Sequence, residues 1–317
     1  MRLPILMYHY VRPNQERLSA KHKVLDLVKF KAQIAELQKK YSFITGNQLH
    51  ALQDRSSRDE IWLTFDDGYR DCIDHVLPAL LKVDAVATFY VPTEAIYERK
   101  LLDVNKIHIL LSTDIKEVDL VEITKRNFND LKIDEAIEQS FDELFEVNGI
   151  ANAWNDKETE FLKKIFQKLL PRALRRELLD RVFRQVIERE ESSWVDEFYL
   201  TPDDVRKLAD SGMEIGSHGH SHEWLADMNA GQQREDLVTS FLILDSELGN
   251  TRTRSVCYPF GSYNKSTLEI LKEFDIHTAV VFKGQKFAEV APGQTSMLEL
   301  DRIDVMFFDQ FMRGDFF

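Results

Sequence analysis

Ile61-Trp-Leu-Thr-Phe-Asp-Asp-Gly-Tyr69 is the stretch on which the reading of this chain turns. Ile61 to Phe65 is an apolar, partly β-branched and aromatic run suited to a buried strand, and Asp66-Asp67-Gly68 ends it with turn-forming residues. Two carboxylates therefore stand at a strand's C-terminal end. In α/β folds that is where functional groups collect, because the strand below is rigid and the loop above meets solvent. Side chains of successive residues there point in different directions, so one acid can ligate a metal while its neighbour faces metal-bound water. Taken alone, an Asp-Gly pair closing a strand is a plain turn.

Far downstream, Gly212-Met-Glu-Ile-Gly-Ser217 reads as a short strand entering a turn, and His218-Gly-His-Ser-His222 follows it. The spacing predicts His218 and His222 on one face of a first helical turn. Two neutral imidazoles so placed can hold Zn²⁺, and a third protein ligand with an open water position makes such a site catalytic. Asp67 is the third ligand in this reading. His220 points away, as an exposed or supporting residue.

Working outward, Val24 to Lys40 is an amphipathic helix with a stripe of Leu27, Phe30, Ile34 and Leu37, and Asp74 to Lys82 is the next helix. Strand–helix alternation of this kind predicts a parallel sheet or barrel. Between 96 and 196 the strand signal fades and helical stripes take over, Phe161, Leu162, Ile165, Phe166 and Leu169, then Leu174, Leu178, Val182, Phe183 and Ile187. Pro171 divides the last two into an antiparallel pair. The alternation resumes near Phe198. The expected organisation is a barrel in two parts, 1–95 and 197–317, around a helical insertion at 96–196. That insertion reads as a packing appendage or homodimer interface, as a lid carrying Tyr97, Trp154 or Trp194 against a sugar, or as a dock for a pathway partner.

The two blocks together resemble the polysaccharide deacetylases of carbohydrate esterase family 4, the group with the NodB homology domain. Ala87-Thr-Phe-Tyr-Val91, Leu200 to Leu208 and Cys257-Tyr-Pro-Phe-Gly-Ser-Tyr263 extend the resemblance. It implies a distorted (β/α) barrel, with Asp66 as catalytic base and Asp67, His218 and His222 holding one divalent ion. Zinc is the first expectation for that ion, with cobalt, nickel, iron or manganese as alternatives. The backbone N–H of Phe260 would face the oxyanion, with Tyr258, Tyr69 and Trp224 as substrate-binding candidates; Trp224 reads equally as a helix-packing residue.

Two departures stand out. Many members open the third block with an Arg that orients the catalytic Asp, whereas Ser255-Val-Cys-Tyr258 has none, and no late Leu-x-Ile-His block supplies a general acid. Pro4-Ile-Leu-Met-Tyr-His-Tyr-Val11 instead resembles a permuted branch in which that closing strand opens the chain, making His9 the general-acid candidate. Arg302, in Leu300-Asp-Arg-Ile-Asp-Val305, is the candidate replacement for the missing Arg, or an ordinary strand-end ion pair.

Composition bounds the rest. A chain of 317 residues that is 44% hydrophobic can bury a large core. Its 54 acidic against 41 basic residues give −13, and no long basic stretch interleaved with aromatics suggests a nucleic-acid partner. The run Leu3 to Met7 is too short for a signal h-region, no stretch approaches the ~20 apolar residues of a membrane span, and two cysteines make no disulfide framework. The reading is a cytoplasmic, metal-dependent enzyme that removes an N-acetyl group from a sugar or glycan in bacterial surface polysaccharide assembly. The alternatives are an O-acetyl esterase or deformylase using the same site, and a non-catalytic carbohydrate-binding or scaffold protein.

Overall fold

The Ile61–Phe65 run forms most of a strand, Asp59–Phe65, and the alternation of its side chains organises what surrounds it. In the computed structural model, which describes residues 2–16, 18, 24–51, 59–152, 155–249, 255–284, 286–290 and 297–315, this strand lies inside an all-parallel sheet of nine. In chain order the strands are β1 (Ile5–Tyr8), β2 (Tyr41–Ile44), β3 (Asp59–Phe65), β4 (Thr88–Val91), β5 (Glu214–Ser217), β6 (Ser255–Cys257), β7 (Thr278–Val281), β8 (Met297–Asp301) and β9 (Ile303–Asp304). Their spatial order is β8–β7–β6–β5–β4–β3–β1–β9, with β2 also on β3. The two ends of that order, β8 and β9, are separated in sequence only by Arg302. One residue therefore carries the chain from one edge of the sheet to the other and nearly closes it into a barrel.

Parallel strands are joined by crossovers whose helices cover the outside, so strand residues alternate between an outer, helix-facing layer and the barrel interior. Ile61, Leu63 and Phe65 face outward with Leu6, Tyr8, Phe89 and Val91, against Phe30, Ile34 and Leu37 of α1 (Leu27–Lys40). In that layer the rings of Tyr8, Phe65 and Phe89, from three adjacent strands, stack at 4.8 and 5.0 Å. Val205 and Leu208 of α2 (Pro202–Asp210) join the same cluster. Farther round, Leu237 and Phe241 of α3 (Ala230–Glu247) and Ile270 and Leu271 of α4 (Lys265–Glu273) cover Val256, Ala279 and Val281. The expected helix over Asp74–Lys82 begins earlier, as a wide π turn at Cys72–Val76 that tightens into an α-helix at Leu77–Leu81.

The interior takes the other parity: Ile5, Trp62, Tyr90, Cys257, Val280 and Leu300. It also carries polar groups that satisfy one another. Trp62 donates its indole N–H to Thr88 Oγ1 at 2.7 Å, and Thr88 donates to Glu214 at 2.8 Å. Tyr90 and Ser255 share a hydrogen bond of 2.5 Å. The Tyr90 ring crosses β5 so closely that a Cβ on Gly216 would lie 2.4 Å from it, which explains a glycine inside a buried strand.

The chain divides into two compact units, one that contains the barrel, residues 1–16, 24–100 and 195–317, and a second over residues 101–194. The second is helical. Its helices Asp103–Leu111, Glu117–Asp130, Phe141–Asn148, Lys157–Gln167 and Arg172–Val186 bury Ile107, Leu120, Phe128, Phe161, Ile165, Leu178 and Val182. Phe141 sits edge-on to Phe128 and Phe161 at 5.4 and 5.1 Å. The buried Lys106 ammonium is matched by Asp180 at 2.6 Å and Glu191 at 3.2 Å. No helix among the described residues is long and apolar enough to cross a membrane.

Glu214 gives this fold a measurable pH signature. Burial raises its pKa, and hydrogen bonds from Thr88 and the backbone of Asn47 and Gly46 oppose that without cancelling it. A folded-state value above the unfolded one makes stability greatest below the unfolded value, about 4.3, and lowers it as pH rises from there toward the folded value. The Glu214→Gln variant is therefore expected to gain stability relative to wild type as pH rises above about 4.3 in urea titrations. Parallel pH profiles for the two proteins would remove the burial cost assigned to this carboxylate.

Candidate metal and acid–base site

Asp66 continues the inward parity of Trp62 and Thr64, so its carboxylate enters the C-terminal mouth of the barrel; its N–H donates to Tyr8 O at 3.0 Å, tying β3 to β1. Arg302, at the β8–β9 junction, reaches into the same layer. Its Nη1 and Nη2 donate to Asp66 Oδ1 and Oδ2 at 2.8 and 2.7 Å, a two-pronged pair in which both partners are almost completely buried. Nη1 also donates to Thr64 Oγ1 at 3.0 Å, and Nη2 lies 3.1 Å from Cys257 Sγ. Burial opposes ionisation of Asp66, but the Arg302 charge and its hydrogen bonds outweigh it and hold the carboxyl below its usual value. His9 follows β1, with its side chain 42% exposed and Nε2 3.8 Å from Asp66 Oδ2. That separation is beyond a direct hydrogen bond.

Asp67 turns away from Asp66 by adopting φ 69°, a left-handed conformation that costs a non-glycine residue on the order of 1–3 kcal/mol. Gly68 continues the turn at φ 61°, where an added Cβ would lie 2.9 Å from Ile96 Cδ1. The turn presents Asp67 Oδ1 to His218 Nε2 at 3.3 Å and to His222 Nε2 at 3.1 Å. The two imidazoles meet at 4.8 Å with their planes 73° apart.

The expected helical turn is absent: His218–His222 is irregular backbone, with Gly219 at φ 71° and His222 at φ 53°. What bends it is Asp236 of α3, whose carboxylate accepts the N–H groups of His220 and Ser221 at 2.9 Å each and the Ser221 hydroxyl. These bonds replace the i→i−4 ladder a helix would have used. A Cβ at position 219 would lie 2.8 Å from Asp236 Oδ2. His220 is directed elsewhere, with Nδ1 2.9 Å from Thr93 Oγ1 and Nε2 3.1 Å from Glu98 Oε1.

Of the aromatic candidates, Trp224 and Phe260 are together at the site. Their rings stack at 4.5 Å and 5°, Phe260 meets the edge of His222 at 4.8 Å, and Phe260 is more than a third exposed. Tyr258 and Tyr69 are not substrate-facing. Tyr258 is buried in the layer outside β6 with its hydroxyl donating to Leu298 O at 2.8 Å, and Tyr69 is buried between Tyr10 and Tyr199. Strand parity explains the first, since Tyr258 follows the inward Cys257 and must face outward. Among the aromatics considered for a lid, Trp194 lies under the Arg189 guanidinium at 4.2 Å and Tyr97 packs on the helix-covered barrel layer. Trp154 lies outside the described residues.

Sequence reasoning missed Asp236 and the contact role of Cys257. An acid in mid-helix has no local signature, but Cys257 stood at the block where an Arg was expected, and that departure was the available signal.

The donor set suits a divalent cation. Asp67, His218 and His222 each offer one ligand atom within 4.8 Å of the others, all buried. His218 Nδ1 lies 2.8 Å from Cys257 O, which as an acceptor-only group requires the proton on Nδ1. A neutral His218 then turns a lone pair toward the Asp67 carboxylate, so a positive charge is needed between them. Burial opposes the imidazolium, yet the surrounding acceptors push the His218 pKa well above its usual value. Two imidazole nitrogens and one carboxylate oxygen are the ligand types of a catalytic zinc site.

A family model described as polysaccharide deacetylase matches residues 53–118 and 184–279, half of the chain. The chain belongs to the polysaccharide deacetylase family. Solved structures of similar fold include the Streptococcus pyogenes deacetylase PplD in complex with acetate, at 20% identity and TM-score 0.56, covering 96% of this chain and 92% of that one. IcaB from Ammonifex degensii aligns at 15% identity and TM-score 0.59, covering 98% and 96%. A polysaccharide deacetylase from Bacillus cereus aligns at 15% and 0.56, covering 96% and 65%. No curated protein sequence matches the chain. The barrel is thus the deacetylase barrel of this family.

Two outcomes follow from the geometry. Arg302→Met leaves the Asp66 carboxylate buried without its counter-ion and is expected to cost about 3–5 kcal/mol in denaturant unfolding; a loss under about 1 kcal/mol would mean that solvent reaches Asp66. Asp236→Ala removes the anchor of the histidine loop and should weaken zinc binding about 10–100-fold in competition titrations, although Asp236 is not itself a donor; unchanged affinity would show the loop to be self-supporting.

Proposed function

We propose that this deacetylase is metal-dependent and removes the N-acetyl group of an acetamido sugar or glycan intermediate during bacterial surface polysaccharide biosynthesis. The observation that carries the reading is the placement of one ionised carboxylate, Asp66, between the three-donor set of Asp67, His218 and His222 and a half-exposed imidazole, His9. A divalent cation, zinc first among the candidates, would be held by Asp67, His218 and His222 and would supply Lewis acidity that makes water a nucleophile near neutral pH.

The chain's own groups account for the proton traffic. Asp66, kept ionised by Arg302, accepts the proton from the attacking water. Arg302 fixes which way its two oxygens face, as a positioning residue for the base. The Phe260 backbone N–H is the candidate donor to the charge that develops on the acyl oxygen. His9 gives a proton to the departing nitrogen. An amide needs that proton more than an ester does, because an amine leaves poorly without it. The presence of His9 therefore favours an amide over an O-acetyl substrate. Phe260, more than a third exposed beside Trp224, is the candidate aromatic surface for a pyranose.

Acetate release from acetamido sugars, nucleotide sugars and short acetylated oligosaccharides tests the proposal. Activity should be lost on chelation and restored by added zinc, and Asp66→Asn should lower it by about 10²–10⁴-fold without loss of bound metal. Turnover within a few-fold of wild type in Asp66→Asn would remove Asp66 from the reaction. Bound metal with no acyl substrate turned over would move the protein to a binding role.

A further inference from the structure

The mechanism leaves one buried ion pair unused. Asp71 accepts three hydrogen bonds from the segment that follows His9: Val11 N–H at 2.9 Å and Arg12 Nε at 3.0 Å, both to Oδ2, and Arg12 Nη2 at 2.7 Å to Oδ1. Both side chains are about 5% exposed. Arg12 lies two residues after Tyr10, whose ring stacks on Tyr69 at 3.9 Å and 15°, and the Arg12 guanidinium sits 5.1 Å from the Tyr10 ring. Residues 10–12, just beyond His9, are therefore tied to Tyr69 and Asp71, just beyond Asp66-Asp67.

The His9 imidazole has no comparable support of its own. It is 42% exposed, and 3.8 Å from Asp66 it makes no direct hydrogen bond to it. Its place is set by its backbone, which is held on one side by Asp66 N–H to Tyr8 O and on the other by Asp71. A buried ion pair is weak evidence of a stability role, because apolar replacements of both partners are often neutral or stabilising. Three bonds converging on one carboxylate instead fix the segment after His9 against the start of the helix that follows the Asp66-Asp67 turn.

We infer that Asp71, with Arg12, is a positioning pair that sets His9 against Asp66, so that its loss slows the acid-dependent part of the reaction selectively. The inference rests on the assignment of His9 as the acid in the proposed deacetylation. The Asp71→Asn variant keeps the shape and an acceptor for Val11 but leaves Arg12 unmatched. The Arg12→Met/Asp71→Leu double variant leaves neither charge buried alone, and so separates positioning from folding.

Each variant is compared with wild type on an N-acetylated chitooligosaccharide and on 4-nitrophenyl acetate, whose leaving group needs no acid, and a crystal structure of the double variant is determined. The expected result is amide turnover lowered about 10–100-fold, ester turnover changed less than about 3-fold, and His9 moved from its place near Asp66. A folded variant with His9 in place and an unchanged amide-to-ester ratio overturns the inference. Equal losses on both substrates with His9 in place also overturn it, since they report general destabilisation. If wild type turns over neither substrate, the deacetylase reading fails, and the position of His9 in the double variant still decides whether Asp71 holds it. Should the double variant not fold, the amide-to-ester ratio of Asp71→Asn decides the question.

Discussion

The contact between Arg302 and Asp66 is the constraint around which the barrel mouth is organised. It lies where the sheet's two edge strands, β8 and β9, meet in sequence, so the residue that closes the barrel is also the one that matches the buried carboxylate at its mouth. A carboxylate this deep is costly unless paired and hydrogen-bonded, and a guanidinium is the side chain whose two-pronged geometry satisfies both oxygens at once. Closure and charge compensation therefore depend on each other. Moving β9 out of register would withdraw Arg302, and neutralising Asp66 would leave a buried cation at the seam.

The same economy governs the loops. Asp67 and His222 are both held in left-handed backbone, and the loop that carries His222 is anchored from outside the donor set by Asp236 on α3, which accepts the N–H groups of His220 and Ser221. Strain of this kind persists only where neighbouring structure over-determines it. The three side chains thus converge, each offering one ligand atom within 4.8 Å of the others.

How much of this was legible in the sequence depends on the range of the signal. The Ile61–Phe65 strand, the buried stripe of Phe30, Ile34 and Leu37, and the helices around Phe161 and Val182 follow from periodicity, which is local and survives in any fold that buries one face. The Asp67, His218 and His222 set was legible because a carboxylate pair at a strand end and two histidines one spacing apart are chemically unusual. The geometry of the histidines was not, because a four-residue spacing fits a helical turn and the actual bend is imposed by Asp236, distant in sequence. Tyr258 lies in the packing because alternation turns it outward after the inward Cys257, and Tyr69, beyond the Asp67-Gly68 turn, is buried between Tyr10 and Tyr199.

Arg302 shows what a departure from a pattern can reveal. The third block carries Cys257 where a guanidinium was expected, and a small thiol there leaves room inside the barrel. Arg302 Nη2 lies 3.1 Å from that sulfur while its other contacts reach Asp66 and Thr64. A side chain entering from the closing strand can do this only if β6 presents something small at the same level. The cysteine and the arginine therefore act together: Arg302 pairs with Asp66 inside a barrel whose β6 carries an uncharged thiol at that level. An arginine placed at position 257 would compete with Arg302 for the same carboxylate and bury a second cation beside it.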